Sequence, residues 1–307
     1  MSDGRRPGTL GRGGFRHPSG IVGSAAFAVP TPLGRFLPVV GQPPMVEPPL
    51  SPQEQAHAVV DAFAARGAGG LFVHILRADV ARGLHDRIDK PTLIDQGASS
   101  LCGPSALTLN VATHNPVAYV KFVIALYERG VGDIQRLHIK AGKDLRDYDP
   151  AGNVAAADWI PIASIRDSEN YFFDYQSSEN EFAGITLPRE LEDWFRKIGY
   201  SRVVNETNLL TDQNEKNIRE ADRLYKDDYW VCLLINDKLL YPDKQDSGSM
   251  VPTHWVVLTS DVKIAGGNIS FEVFSWGNGQ YQVPHGKAPL TLDHFFDVYY
   301  GYVAAKY

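Results

Sequence analysis

The sequence predicts an α+β protein in which a helical part precedes a mainly antiparallel β-sheet. Apolar residues recur at helical spacing in several segments between residues 51 and 225, whereas short apolar runs bounded by turn residues follow from Asp228 onwards. This separation of helices from strands is typical of α+β chains. The 307 residues can bury a large core, and a hydrophobic content of 44% with 21% charged residues is usual for soluble globular proteins.

Residues 1–50 differ from the rest of the chain in composition. They contain nine glycines and nine prolines, and five arginines against two acidic residues. A segment of this kind is not expected to build a packed core. We therefore predict a disordered, Gly/Pro-rich basic arm over residues 1–50 and one folded domain over residues 51–307.

Helix signals dominate up to residue 225. Ser51 followed by Pro52 is typical of a helix start, and the glycines after residue 66 are expected to end that helix. A short strand is predicted next, at Leu71–Leu76. The further predicted helices begin at Cys102 and cover 116–127, 188–197 and 212–225.

Strand signals dominate after Asp228. The first apolar run is continuous and ends at a turn, as expected of a buried strand. The predicted strands are Tyr229–Ile235, His254–Leu258 with an extension through Ile264, Ile269–Phe274, and Tyr281–Val283 after an Asn278-Gly279 hairpin. Residues of the helical part and of the sheet can form a common site only in a cleft between the two.

Charge, cysteine content and motifs exclude several classes of function. A formal net charge of -6 argues against general binding to nucleic acid. Two cysteines do not form a disulfide framework, which favours a reducing compartment. We see no apolar stretch long enough for a membrane span, no zinc-ligand spacing and no phosphate-binding loop. We therefore expect no cofactor, metal ion or nucleic-acid partner.

Cys102 is the leading candidate for a nucleophile. It opens an apolar helix, and the positive end of a helix dipole favours the thiolate form of cysteine. Gln96, six residues upstream, can direct its carboxamide NH2 group to an oxyanion that forms beside the sulfur. The backbone N–H of Cys102 would be the second donor of this oxyanion hole.

His254 is the leading candidate for the base among the nine histidines. It begins an apolar strand, a rigid position from which an imidazole can face a helix end. It follows Cys102 by 152 residues, close to the roughly 130–150 residues between cysteine and histidine in one family of cysteine proteases. Cys102 and His254 would then form a catalytic pair.

The segment Asp95-Gln96-Gly97, with Cys102 six residues after the glutamine, resembles the papain superfamily of cysteine proteases. The segments starting at Cys102 (CGPSAL) and His254 (HWVVL) are closer to its bacterial branch. That branch includes the leader peptidases of bacteriocin exporters and papain-like toxin and effector domains. The resemblance implies a papain-like fold, with a nucleophile helix packed on an antiparallel sheet, and hydrolysis of an amide bond through an acyl-enzyme.

The third catalytic group departs from this family's pattern. The bacterial branch would have Asp at Ser275, while Ser275-Trp276-Gly277 is similar to the Asn-Ser-Trp-Gly of papain, with Phe274 in the place of Asn. A serine can accept a hydrogen bond from an imidazole, but it cannot stabilise imidazolium as a carboxylate does. We predict Ser275 as the group that orients His254 and keep Asn278, also a hairpin residue, as the alternative.

Together these features predict a bacterial cysteine protease that acts as an effector or toxin on a protein or peptide substrate. A glutamine deamidase, a cell-wall amidase and a non-catalytic binding module remain alternatives. Because no leader peptide is evident, we expect the chain to be cytoplasmic in the producing cell and to enter target cells by a leaderless export route. A cognate inhibitor or immunity protein is a further partner expected of such a toxin.

Overall fold

The computed structural model describes residues 49–307 except 68, 98, 151, 153, 171–184, 210–212, 241–250, 278 and 287. The predicted arm over residues 1–50 therefore lies almost wholly outside the described residues. Residues Pro49–Tyr307 form one compact unit. Its helices are α1 (Pro52–Ala64), α2 (Arg77–Asp89), α3 (Cys102–His114), α4 (Pro116–Arg129), α5 (Lys143–Asp147), α6 (Ala156–Asn170), α7 (Pro188–Lys197), α8 (Glu215–Lys226) and α9 (Leu292–Phe296). Its strands are β1 (Val131–Ile134), β2 (Leu137–Lys140), β3 (Arg202–Asn205), β4 (Trp230–Ile235), β5 (His254–Leu258), β6 (Lys263–Ala265), β7 (Asn268–Ser275), β8 (Gly279–Val283), β9 (Leu290–Thr291) and β10 (Tyr299–Lys306).

Local sequence accounts for the ends of the predicted helices. The side chain of Ser51 accepts a hydrogen bond from the Glu54 N–H at the start of α1, as the sequence predicts for a serine cap. Helix α8 begins at Glu215, three residues later than predicted, because the Asn214 side chain accepts from the Asn217 N–H and caps it there. Helix α3 is buried along almost its whole length, so it is a central helix rather than an amphipathic surface helix.

The larger sheet is antiparallel and has the order β3-β10-β4-β5-β7-β6, with β8 and β9 also paired to β7. Its middle strands β4 and β5 are buried on both faces, which explains why their sequences are continuously apolar. On one face, Cys232 and Trp255 belong to the core that the sheet shares with helices including α3. On the other face, Val231 and Val256 pack in a second core with residues of α8 and α9.

The structure confirms a mixed α+β class with an antiparallel sheet. The predicted hairpin is also present, because β7 pairs with β8 and Ser275 lies opposite Gly279. No helix within the described ranges is both long and apolar enough to span a bilayer.

The predicted strand at Leu71–Leu76 is wrong. This segment consists of turns and bends, and its backbone has no strand to pair with. The N–H groups of Leu71 and Val73 instead donate to the carbonyls of Tyr127 and Arg146. Phe72 and Ile75 are buried, so the apolar character reflects two anchoring side chains rather than a strand face.

The predicted continuation of the His254 strand through Ile264 is also wrong. Strand β5 ends at Leu258, and Lys263–Ala265 forms the separate strand β6. Between them, the Val262 N–H donates to the carboxylate of Asp222 on α8 and not to a neighbouring strand, so β5 does not continue into β6. The chain then returns through a turn with left-handed glycines at 266 and 267, as the sequence predicts.

Candidate functional site

Cys102 is the first residue of α3, and its side chain is only 2% exposed. The backbone N–H groups of Trp255, Gly103 and Cys102 itself act on its sulfur and favour the thiolate form. Two of these donors belong to the helix N-terminus, and the third belongs to β5, directly after His254. The sulfur therefore lies where the helical part meets the sheet.

Burial raises the pKa of the Cys102 thiol to about 11. The three N–H donors and the positive charge of Arg166 on α6 act in the opposite direction, but they do not offset the loss of hydration. The sequence predicted a thiolate favoured by the helix dipole. The N–H groups at the helix start do lower the pKa of the thiol, but burial raises it by more. The thiol of the free protein is therefore neutral at neutral pH.

Thr186 packs against the start of helix α3. A Cβ atom at Gly103 would lie 2.2 Å from the Thr186 Oγ1, so only glycine fits at this position of α3. The Thr186 carbonyl also accepts a hydrogen bond of 2.9 Å from Trp255 Nε1. Because Thr186 is 1% exposed and contacts both elements that hold the sulfur, it contributes to the burial of Cys102.

His254 begins β5, as predicted, and its ring is hydrogen-bonded to the side chain of Ser275. The Nε2 atom of His254 lies 2.8 Å from Ser275 Oγ, and both side chains are buried. When Nε2 carries the proton, it donates to the serine and Nδ1 is the basic nitrogen of the ring. Ser275 thus stands where a group that orients the imidazole is needed. Asn278, the alternative, lies outside the described residues.

Trp276 closes the site on the sheet side. Its indole is 3% exposed, and Nε1 donates a 2.9 Å hydrogen bond to the Trp255 carbonyl. The ring packs edge-on against Phe274, within the same core as Cys102. Trp276 is therefore a core residue that links the end of β7 to β5.

Gln96 lies in the loop before α3, and this loop packs against the end of β7. A Cβ atom at Gly277 would lie 2.2 Å from the Asp95 Oδ1, so Asp95 and Gly277 are in close contact. Asp95 Oδ1 also accepts from the Gly97 N–H at 2.6 Å, which closes a tight turn around Gln96. The Gln96 Oε1 is buried and has no hydrogen-bond partner among the described residues.

The structure thus brings the four predicted side chains, or their immediate neighbours, into one region. Cys102 contacts the backbone beside His254, His254 contacts Ser275, and the loop of Gln96 contacts the residue two positions after Ser275. Sequence reasoning missed Thr186 and the buried ion pair of Arg87 with Asp158. Asp158 had a detectable signal, because it is an isolated acid within the apolar stretch 154–165.

The raised pKa of Cys102 predicts how its alkylation depends on pH. Because the folded protein holds the thiol proton up to about pH 11, the rate with iodoacetamide should rise about tenfold per pH unit between about pH 7 and 9.5, without a plateau. The measurement is mass-spectrometric quantification of labelled Cys102, with the unfolded chain as reference. A plateau below about pH 8 would contradict the prediction.

Within the part of the chain that the structure describes, no group of three or more His, Cys, Asp or Glu residues is placed to hold a metal ion.

In comparisons with known proteins, the chain matches no protein-family model, no curated protein and no solved structure.

Proposed function

We propose that this protein is a papain-like cysteine hydrolase that cleaves an amide bond through an acyl-enzyme on Cys102. The observation that carries the proposal is the buried 2.8 Å contact between His254 and Ser275, at the strand where the Trp255 N–H reaches the Cys102 sulfur. A nucleophile, a base and an orienting group are the minimum set for this chemistry. The proposal is supported by this geometry together with the resemblance of the three sequence segments to the family.

In the proposed mechanism, His254 takes the thiol proton of Cys102 as the sulfur attacks the substrate carbonyl. The oxyanion that forms is bound by the Gln96 carboxamide and the Cys102 N–H. The imidazolium then donates its proton to the leaving amine, and the C–N bond breaks. Water, deprotonated by His254, attacks the thioester, releasing the acid and restoring the thiol.

The raised pKa of Cys102 adds a constraint to this mechanism. A thiol that is neutral in the free protein cannot form a thiolate–imidazolium pair before substrate arrives. We therefore place proton transfer in the same step as attack: His254 accepts the thiol proton as the sulfur bonds to the carbonyl carbon and the negative charge moves to the carbonyl oxygen. The substrate must also gain access to the sulfur of a residue that is 2% exposed, so binding has to displace part of what covers Cys102.

The proposal is tested by comparing wild type with Cys102→Ala. Each protein is expressed in bacterial and in eukaryotic cells, and new protein termini are identified by proteomics. We expect new termini with wild type and none with Cys102→Ala. Cys232→Ala is the matched control, because Cys232 is the second buried free cysteine and lies in β4. Equal results for wild type and Cys102→Ala would reject the proposal.

The kind of product identifies which amide bond the enzyme hydrolyses. New termini indicate a protease, which we propose as the main activity, acting as an effector or toxin in a target cell. A mass increase of about one dalton on glutamine would indicate a deamidase, and cleaved peptidoglycan would indicate a cell-wall amidase. All three use the same Cys102 and His254 chemistry.

A non-catalytic papain-like binding module is the second candidate. Two observations favour it, namely the serine beside His254 where the bacterial branch of the family would have Asp, and the raised pKa of the Cys102 thiol. A binding module would retain its partner in pull-down experiments with both wild type and Cys102→Ala, and would yield no product with either. Turnover by the wild type alone separates the hydrolase from the module.

A further inference from the structure

A buried ion pair contacts the loop that carries Gln96. Arg87 on α2 donates through Nε to Asp158 Oδ1 at 2.9 Å and through Nη2 to Asp158 Oδ2 at 2.6 Å. Asp158 on α6 is fully buried, and Arg87 is 8% exposed. The two residues are 71 positions apart in the chain, so the pair joins two helices across the interior.

Both partners also bind the backbone of the loop before Gln96. The Asp158 Oδ2 accepts a hydrogen bond from the Asp95 N–H at 3.1 Å. The Arg87 Nη2 donates to the Leu93 carbonyl at 3.1 Å. The pair therefore binds the peptide groups on both sides of Ile94. One of them is bound through the Leu93 carbonyl and the other through the N–H of Asp95, the residue before Gln96.

A contribution to stability alone does not explain an ion pair at this position. Removing two charges from water is costly, and apolar residues of similar volume often stabilise a buried site at least as well. Apolar residues would, however, leave the Asp95 N–H without its acceptor and the Leu93 carbonyl without its donor. The specific contribution of the pair is thus the placement of these two peptide groups.

We propose, on the basis of the proposed hydrolase function, that Arg87 and Asp158 are positioning residues, which fix the backbone at Leu93 and Asp95 and so direct the Gln96 carboxamide to the oxyanion. On the opposite side, Asp95 is pressed against Gly277 beside the orienting serine. The loop therefore contacts the ion pair on one side and the end of β7 on the other.

The charge of Asp158 is available at neutral pH for this role. Burial raises the pKa of Asp158 to about 6, while Arg87 and the Asp95 N–H act against that rise. The titratable groups that face the carboxylate are Arg87 from α2, Tyr119 from α4 and Asp95 from the loop. Tyr119 is buried and its pKa is raised by burial, so it is a neutral neighbour.

The test uses the double variant Arg87→Met, Asp158→Leu in the full chain, which removes both charges without leaving one buried alone. With a substrate identified by the new termini, we expect kcat to fall about 100-fold and KM to change less than about threefold, as for the loss of an oxyanion donor. We also expect amide hydrogen exchange at Asp95 to be at least about tenfold faster. The matched control is Arg77→Met, Glu128→Leu, which removes a partly buried pair from the other end of α2.

A second variant separates positioning from packing. Arg87→Met, Asp158→Asn keeps a neutral acceptor for the Asp95 N–H, so kcat should return to within about tenfold of wild type. Unchanged exchange at Asp95 in the Met–Leu variant would overturn the anchoring. Faster exchange with kcat within about threefold of wild type would show a structural role only and overturn positioning. If wild type itself has no turnover, the hydrolase proposal and the positioning role both fail, while Asp95 exchange still reports the anchor separately.

Discussion

Replacing His254 by asparagine is expected to lower kcat/KM by at least about 10³-fold, because His254 is the proposed base and acid of every proton transfer. Asparagine is a suitable replacement, since it is polar, smaller than histidine and able to bond to Ser275. The side chain is 9% exposed, so the variant keeps a hydrogen-bonded polar group where the histidine lies. We therefore expect the free energy of unfolding to change by only about 1 kcal/mol. The measurements are kcat/KM on the identified substrate and urea unfolding of the same preparations.

Ser275→Ala is the matched variant within the same contact. It removes the 2.8 Å partner of His254 but leaves the base in place, so a loss of only about tenfold in kcat is expected. A serine can hold the ring tautomer but adds little stabilisation to imidazolium. Activity of His254→Asn within about tenfold of wild type would exclude His254 as the base. A loss for Ser275→Ala as large as that for His254→Asn would show that orientation, rather than proton transfer, is decisive.

Three of the predicted site residues lie at the edges of regular elements that have a local sequence signature. Cys102 opens a helix, His254 opens a strand and Ser275 ends one, and the structure keeps all three at those edges. Local sequence is sufficient for such positions, since helix starts and strand mouths depend on residues a few positions away. The contact of His254 with Ser275 also follows from this, because β5 and β7 are paired neighbours.

The protonation of Cys102 could not be predicted in the same way. The helix dipole is a local property, whereas burial of the sulfur depends on residues distant in sequence, such as Thr186 and those of β5. The Arg87–Asp158 pair was missed for the same reason, since its two residues are 71 positions apart in the chain. Long-range packing thus decides the protonation of Cys102 and the support of the Gln96 loop, and a single sequence does not encode such packing in local patterns.

The C-terminal strand is missing from the sequence prediction. Tyr299–Lys306 is strand β10, paired with both β3 and β4. Its alternation of residues is interrupted at Gly301, which has a φ of +101° and lies where the register shifts. A bulge of this kind removes the period-2 pattern by which strands are recognised.

Gly277→Ala is expected to lower the free energy of unfolding by about 3 kcal/mol, through two separate effects. Gly277 has a φ of +84°, a conformation that costs a residue with a side chain about 1–2 kcal/mol. A Cβ atom there would also lie 2.2 Å from Asp95 Oδ1 and 2.7 Å from Cγ, which adds an overpacking cost of about 1–3 kcal/mol. Asp95 cannot move aside easily, because its N–H is bound to Asp158 and its Oδ1 accepts from Gly97.

The matched control for this variant is Gly266→Ala. Gly266 also has a positive φ, of +57°, but a Cβ atom there would meet no atom within 4 Å, so only the conformational cost of about 1 kcal/mol is expected. Adding Asp95→Ala to Gly277→Ala removes the carboxylate that the new methyl group would strike. If Asp95 and Gly277 are in contact, the double variant should lose less stability than the sum of the two single variants.

Thermal or urea unfolding of the wild type and of these four variants (Gly277→Ala, Gly266→Ala, Asp95→Ala and the double variant) therefore tests the contact without any assay of activity. Equal losses for Gly277→Ala and Gly266→Ala, together with additive effects of Asp95→Ala, would show that the Gln96 loop does not pack on the end of β7. A non-additive result would establish that contact, since coupling energies of this kind arise between residues that touch. Because Gln96 follows Asp95 and Ser275 precedes Gly277 by two residues, the same result would show that the segment of the proposed oxyanion donor meets the segment of the proposed orienting group.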